Sequence, residues 1–356
     1  MTKAVGAIGG AQAQVMSAAE MQICVRANCT VKDVRDALWK DRTLVKTWLM
    51  RGTLHLIPAE DLPLYAAAMG TIKPRNSLLK WLRMTERELF TLIETIGGAL
   101  SHTPVTREEL IATAAKGQPE HVREWLRSGW GGLLKPVARR GMLSFGPSRG
   151  TSVTFVRPEV WLGSWREVDQ EAALVEVARR YVRAYGPATK SDFVRWFGPS
   201  FPGIGRIAWA GLAKDLVPVS VEGARMEALA SDLRALAKMK PRSSVQLLPV
   251  FDPYLMGYAS RDHLFERRYT ARVSRIAGWI SAVVLVGGRV EGTWTHTVTN
   301  KELRITVDPF RSLAPQVAAA IGERALSLAK ALGLSGAEVA TKRGRASAPR
   351  RRGATG

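Results

Sequence analysis

Along the first two thirds of the chain, apolar positions three and four apart give way to near alternation and then to a turn, and this happens three times. Residues 44–52 run into 53–58, residues 133–141 into 142–147, and residues 207–215 into 216–221. Each reads as an amphipathic helix, a short turn and a strand. The second copy is the clearest. Thr106-Arg107-Glu108-Glu109 has the spacing of a capping box, so a helix should open there. Helices over 119–128 and 132–140 follow, and then a hairpin from 142–146 and 151–156 across the turn Pro147-Ser148-Arg149-Gly150. Three helices and a basic-tipped hairpin make a winged helix. The third copy supplies its helices over 171–185, 189–197 and 204–214.

The last third changes character. Residues 247–258 are apolar and rich in turn formers, and Asp252 ahead of Pro253 suits an Asx turn. Alternation over 280–286, 289–298 and 303–307, with Gly287-Gly288 between the first two, predicts a three-stranded antiparallel meander. A helix over 315–332 follows. The expected fold is therefore α+β and mainly α, with tandem winged-helix domains ahead of an antiparallel β-rich domain. The boundaries fall at 1–100, 101–166, 167–244 and 245–336, with a disordered basic tail over 337–356.

Charge narrows the partner. The chain has 52 Lys and Arg against 31 Asp and Glu, a formal charge of +21 and a pI near 10.6, which favours polyanions and above all nucleic acid. Six of those charges lie after Ala340, which leaves about +15 on the rest, so the bias belongs to the folded part. Lys46, Arg51, Lys135, Arg139, Arg140 and Lys214 fall on the expected recognition helices, either as solvated faces or as phosphate contacts. Arg149 at a wing tip adds charge near the Lys135, Arg139 and Arg140 group. Arg261, Arg267, Arg268, Arg272 and Arg275 form a second basic cluster.

Several classes find no support. No apolar run has the length of a membrane span and no signal peptide opens the chain, so a cytoplasmic, nucleoid-associated protein is expected. Cys24 and Cys29 are too few for a disulfide framework and lack the partners of a zinc site. There is no phosphate-binding glycine loop and no G-x-S-x-G elbow. The remaining candidate chemistry is Gln12-Ala13-Gln14. Residues i and i+2 share a face of an extended segment but stand about 200° apart around a helix, so both amides can serve one site only off regular helix. Gly9-Gly10 just before them makes that geometry accessible. His55, in the strand-like Leu54-His55-Leu56, is either a satisfied structural group or an active-site residue.

Gln12-Ala13-Gln14, Arg51-Gly52-Thr53-Leu54-His55-Leu56, the run from Leu248-Pro249-Val250-Phe251-Asp252 to Pro253-Tyr254-Leu255-Met256-Gly257-Tyr258, Gly278-Trp279-Ile280-Ser281 and Gly292-Thr293-Trp294 occur here in one order. Together they resemble the winged-helix DNA glycosylases of the AlkZ/YcaQ family across nearly the whole chain. The resemblance implies tandem winged helices, a C-terminal β-rich domain and monofunctional excision of alkylated purines, cross-linked ones included. It implies catalysis by a Gln-x-Gln or Gln-x-Asp motif, which maps onto Gln12 and Gln14. It also implies a helix ahead of that motif. With eleven residues there, the first winged helix is expected to lack that helix and to leave Val34, Leu38, Leu44, Trp48 and Leu49 poorly covered.

Two amides suit a restricted substrate. A purine alkylated at N7 or N3 already carries positive charge, so its glycosidic bond breaks without strong acid catalysis. The protein must chiefly stabilise an oxocarbenium-like sugar and place a water, which carbonyl dipoles can do. Gln has no useful pKa and is no full general base, so Gln14 in place of Asp predicts cationic, labile lesions only. A bifunctional enzyme would need an amine nucleophile, and only Lys3 lies near the motif. The expectation is a monomeric glycosylase without cofactor or metal, acting on lesion-bearing double-stranded DNA; a non-catalytic DNA-binding regulator is the alternative.

Overall fold

The computed structural model describes residues 1–72, 76–198, 203–240 and 243–342. It divides into two compact units, Met1–Lys240 with Phe251–Arg261, and Pro241–Val250 with Asp262–Gly356.

In the first unit one order of elements recurs three times. It begins with α1 (Thr2–Ala7), β1 (Ala11–Gln12), α2 (Met16–Ala27), α3 (Val31–Trp39) and the hairpin of β2 (Leu44–Trp48) and β3 (Leu54–Pro58). After α4 (Leu62–Gly70) and α5 (Asn76–Leu82) come α6 (Glu86–Gly98), β4 (Val105–Thr106), α7 (Arg107–Ala114), α8 (Glu120–Arg127), α9 (Leu134–Arg139) and the hairpin of β5 (Ser144–Arg149) and β6 (Ser152–Val156). Past α10 (Pro158–Leu162), the third set is α11 (Gln170–Tyr185), a bridge between Ala188 and Glu227, α12 (Lys190–Phe197), α13 (Gly203–Leu212), and the hairpin of β7 (Leu216–Val221) and β8 (Ala224–Leu229). Helix, short strand, helices and hairpin is the order of a winged helix. The first two sheets repeat one arrangement, β1-β3-β2 and β4-β6-β5. Thr30, Thr85, Thr106 and Thr189 each close a capping box with the acid three residues on, which fixes four of the helix starts locally.

The structure corrects the sequence reading of the first module. Residues 44–48 form a strand, and the helix before the hairpin is α3. Four of the five β2 residues are buried, so both faces of the strand are covered, and such a run cannot be told from a buried helix by periodicity. Val45, Thr47 and Trp48 then decide in favour of the strand through their shape. A helix does stand ahead of the Gln motif: α1, with Val5 buried. The side chains expected to lack cover are buried as well. Val34 and Leu38 are at most 1% exposed. Val45, Leu49 and Ile57 join a core with Tyr65, Tyr181 and Trp196, while Trp48 enters another with Leu89, Phe145 and Phe155. The β2–β3 hairpin is thus gripped by the third module on one side and the second on the other.

Short α14 (Leu233–Lys238) ends the continuous part of this unit. Phe251–Arg261, expected in the C-terminal domain, belongs to it too and contains the short helix α15 (Pro253–Met256). Tyr181 donates its hydroxyl to Gly257 O at 2.6 Å, and Ala259 N donates to Asp192 Oδ1 at 2.7 Å.

The second unit holds one five-stranded sheet, ordered β13-β12-β11-β10-β9. The strands are β9 (Val245–Leu248), β10 (Val283–Val286), β11 (Arg289–Thr299), β12 (Glu302–Pro309) and β13 (Gly336–Thr341), with short α16 (Thr270–Val273) ahead of β10 and α17 (Pro315–Ala331) ahead of β13. The expected meander is its middle. β13 pairs in parallel with β12, so the sheet is not wholly antiparallel, and residues 336–341 are strand rather than disordered tail. Short, small and half-exposed, Gly336-Ala337-Glu338-Val339-Ala340-Thr341 carries little strand signal in isolation; α17 returns the chain to the sheet edge. Residues 343–356, with most of the expected basic tail, lie outside the described residues.

Candidate active site

The Gln motif leaves the glycine turn in extended backbone. Gly9 and Gly10 take φ of +66° and +99°, and a Cβ on either would meet Trp196 Cζ2 at 2.8 Å or Ile57 Cγ2 at 2.7 Å. β1 then pairs with β3, Gln12 opposite His55, and Ala13 N donates to Leu54 O at 2.7 Å. Regular helix begins only at Met16, so both amides stand on non-helical backbone, as their spacing requires. Gln12 is buried. Gln14 is exposed and makes no side-chain hydrogen bond among the described residues.

Gln22 on α2 holds the motif from behind, and the sequence reading missed it. Its Oε1 accepts from Gln12 N at 3.1 Å, and its Nε2 reaches Gln12 O and Phe251 O, both at 3.4 Å. A fully buried Gln within Met21-Gln22-Ile23 signals such a role, because a buried amide must find partners. Phe251 is held in turn by its neighbour. Asp252, wholly buried, accepts from Tyr254 N at 3.0 Å in the expected Asx turn and binds the Arg26 guanidinium of α2.

Arg51 closes the site from the hairpin tip, not from a recognition helix. Within the tight turn Met50–Gly52 it adopts φ +57°, which is costly for a residue with a Cβ. Its Nη2 lies 3.3 Å from Gln12 Oε1 and 3.4 Å from His55 Nε2, while Nη1 donates to Trp196 O. Burial lowers its pKa to about 10; Tyr185 raises it, and Arg195 and Arg261 lower it further. His55 is driven to about 3, by burial first and by Arg51 second, so the ring is neutral at pH 7. With Nδ1–H donating to Thr53 O at 3.0 Å, Nε2 is an acceptor turned to Arg51. Both nitrogens are engaged, and the ring is neutral. The Gln12 carbonyl keeps one lone pair beyond the one that Arg51 uses.

The other basic residues divide. Lys135 and Arg139 on α9 approach the same hairpin tip: a Cβ on Gly52 would lie 3.4 Å from Arg139 Nη2 and 4.0 Å from Lys135 Nζ. Burial, and then Arg139, lowers the Lys135 pKa. Lys46 is on β2 with its ammonium 5.1 Å from the centre of the Phe145 ring, and burial lowers its pKa too. Lys214 is exposed. Arg140 pairs with Glu94 at 3.3 Å and caps the Phe90 ring, facing a cavity of about 530 Å³ that Gln12, Gln14 and His55 do not line. Arg149 pairs with Glu109 at 2.6 Å, Arg267 with Asp262 at 2.8 Å and Arg268 with Glu266 at 3.0 Å, so much of the expected basic surface is locally neutralised. Arg261 lies in the first unit, half-buried, and its Nε donates to Leu255 O.

Known proteins match the chain along nearly its whole length. The profile of the AlkZ-like DNA glycosylases matches residues 5–331. An interstrand DNA cross-link repair glycosylase of Streptomyces sahachiroi is 35% identical over 342 residues, spanning 93% of this chain and 90% of that protein. The solved structure of Streptomyces sahachiroi DNA glycosylase AlkZ superposes with a TM-score of 0.85 at 34% identity, over 96% of this chain and 93% of that one. No helix among the described residues is long and apolar enough to cross a membrane. Full-length similarity to a DNA-acting enzyme favours catalysis over the regulator, and on it the chain belongs to the AlkZ-like DNA glycosylase family.

Proposed function

We propose that this protein is a monomeric, monofunctional glycosylase that releases N7- or N3-alkylated purines from duplex DNA, bulky adducts and interstrand cross-links included. The cross-link is the substrate that the Streptomyces relative's name states. The observation that carries the reading is the paired setting of the amides: Gln12 enclosed and fixed by Gln22 and Arg51, Gln14 exposed two residues on. The reacting bond is already weakened by the charge on the alkylated base. As the base departs, the sugar gains oxocarbenium character, and the free lone pair of the Gln12 carbonyl faces it or the incoming water. Gln14, unrestrained and solvent-facing, completes the water's orientation. The histidine takes no proton in the cycle, since both of its nitrogens are committed.

Incubation with a duplex containing 7-methylguanine, and with one joined by an N7–N7 interstrand link, tests this. Free alkylpurine and an intact strand that breaks only after alkali are expected. Strand cleavage without alkali would demand a covalent amine intermediate, and no release from either duplex would remove the proposal.

A further inference from the structure

Arg51 is a half-buried cation with no carboxylate partner among the described residues. Its Nε is shut away from solvent without a hydrogen-bond acceptor. Burying an ion uncompensated is costly, and the strained φ adds to the cost, so the arrangement is incomplete as it stands. Two buried acids of the same unit are committed elsewhere. Asp192 accepts from Thr189 N, Thr189 Oγ1 and Ala259 N, and Asp252 is bound by Arg26.

Further positive charge gathers at the same place. Arg195 directly precedes Trp196, whose carbonyl Arg51 holds; its side chain is exposed and has no ion pair among the described residues. Arg261 is carried to α12 by the Ala259–Asp192 hydrogen bond. The three repel one another: Arg195 and Arg261 both lower the Arg51 pKa, and Arg195 lowers that of Arg261 after burial.

We propose that Arg51, Arg195 and Arg261 form a seat for one backbone phosphate of the DNA strand that bears the lesion, beside Gln12. A phosphodiester fits because guanidinium groups present planar pairs of donors to its oxygens and because it is the anion that DNA repeats along each strand. It also removes a conflict. A bare guanidinium 3.3 Å from the Gln12 oxygen opposes the sugar cation that this oxygen is to face, and a bound phosphate cancels that charge. The seat would set the register of the strand, since Arg51 holds Gln12 through Nη2 and Trp196 O through Nη1, and offers the phosphate its charge and the second Nη1 hydrogen while Arg195 and Arg261 supply further donors. This rests on the proposed role of Gln12.

The test reads binding alone. A duplex with a tetrahydrofuran abasic analogue is scanned with single neutral methylphosphonates along the analogue strand. The wild type should lose about tenfold in affinity at one or two positions flanking the analogue. Arg195→Ala, an exposed change, should bind the all-phosphate duplex about as weakly and ignore the methylphosphonate at those positions, with the slope of log K against log salt lower by about 0.9. Arg51→Lys, which keeps the charge and loses the fork, should show the same insensitivity. If both variants retain the wild-type methylphosphonate profile and slope, the seat is wrong. Because no bond is broken, a protein that passes this test and excises nothing would refute the catalytic reading alone.

Discussion

Arg26 and Asp252, 226 residues apart in sequence, meet through two parallel hydrogen bonds of 2.9 and 2.7 Å, with the carboxylate wholly buried and the guanidinium side chain 20% exposed. The pair fastens α2 to the segment Phe251–Arg261 and so sets the Phe251 carbonyl where Gln22 can reach it. Removing one partner strands the other. Asp252→Ala should destabilise the protein by about 3 kcal/mol in urea unfolding, the low end for a buried pair because Arg26 stays partly hydrated. Arg26→Met combined with Asp252→Leu should recover part of that loss but not all, since the Asx turn to Tyr254 is still broken.

Gln22→Leu leaves the Gln12 N–H without its acceptor inside the protein, a cost of about 1–3 kcal/mol. β1 is only two residues long and pairs along one edge alone, with β3, so the loss of its contact to α2 should appear as a misplaced Gln12. The excision rate on a 7-methylguanine duplex should fall at least tenfold while the affinity for an abasic-analogue duplex changes less than threefold. Equal losses in both would mean that Gln22 merely supports the fold.

His55 makes stability depend on pH in a defined direction. Its pKa is about 3 in the folded protein against an ordinary 6.5, so below pH 6.5 the unfolded chain takes up a proton that the folded protein refuses. The contribution is fully present above 6.5 and is lost as pH falls toward 3. Between pH 7 and pH 5 the histidine should account for a loss of about 2 kcal/mol, read as the difference between the wild type and His55→Gln in urea midpoints at the two values. A wild type whose loss matches that of His55→Gln would show that the ring is protonated inside the fold.

Much of the fold is legible in the sequence because it is local. Thr106 with Glu109, the 3.6-residue periodicity of α11 and α12, and the alternation in β10 to β12 each need only neighbours in sequence to take effect. β2 reads as helix in the sequence because its pattern is decided by packing from two other modules, which periodicity does not encode. Arg26–Asp252 and Gln22–Phe251 span more than 220 positions, and one sequence carries no trace of such pairings. The set of free cations is overestimated from sequence for a related reason: Arg149 and Arg267 read there as unpaired contacts, yet each lies against a carboxylate.

That division among the arginines predicts where salt acts. Lys135 and Arg139 stand beside Gly52, next to the turn that carries Arg51, so a strand reaching Gln12 should pass them. Arg149 already spends its charge on Glu109 and the Pro104 carbonyl. Lys135→Glu with Arg139→Glu should therefore flatten the plot of log K against log salt by roughly 0.9 for each phosphate no longer neutralised, and should do so whatever the base sequence of the duplex. Arg149→Glu, which leaves two carboxylates side by side at the wing, should still change the slope less than the double change, because it removes no cation beside the hairpin tip. A larger effect from Arg149→Glu than from the double change would put the duplex on the wing of the second module and away from the hairpin tip that holds Gln12.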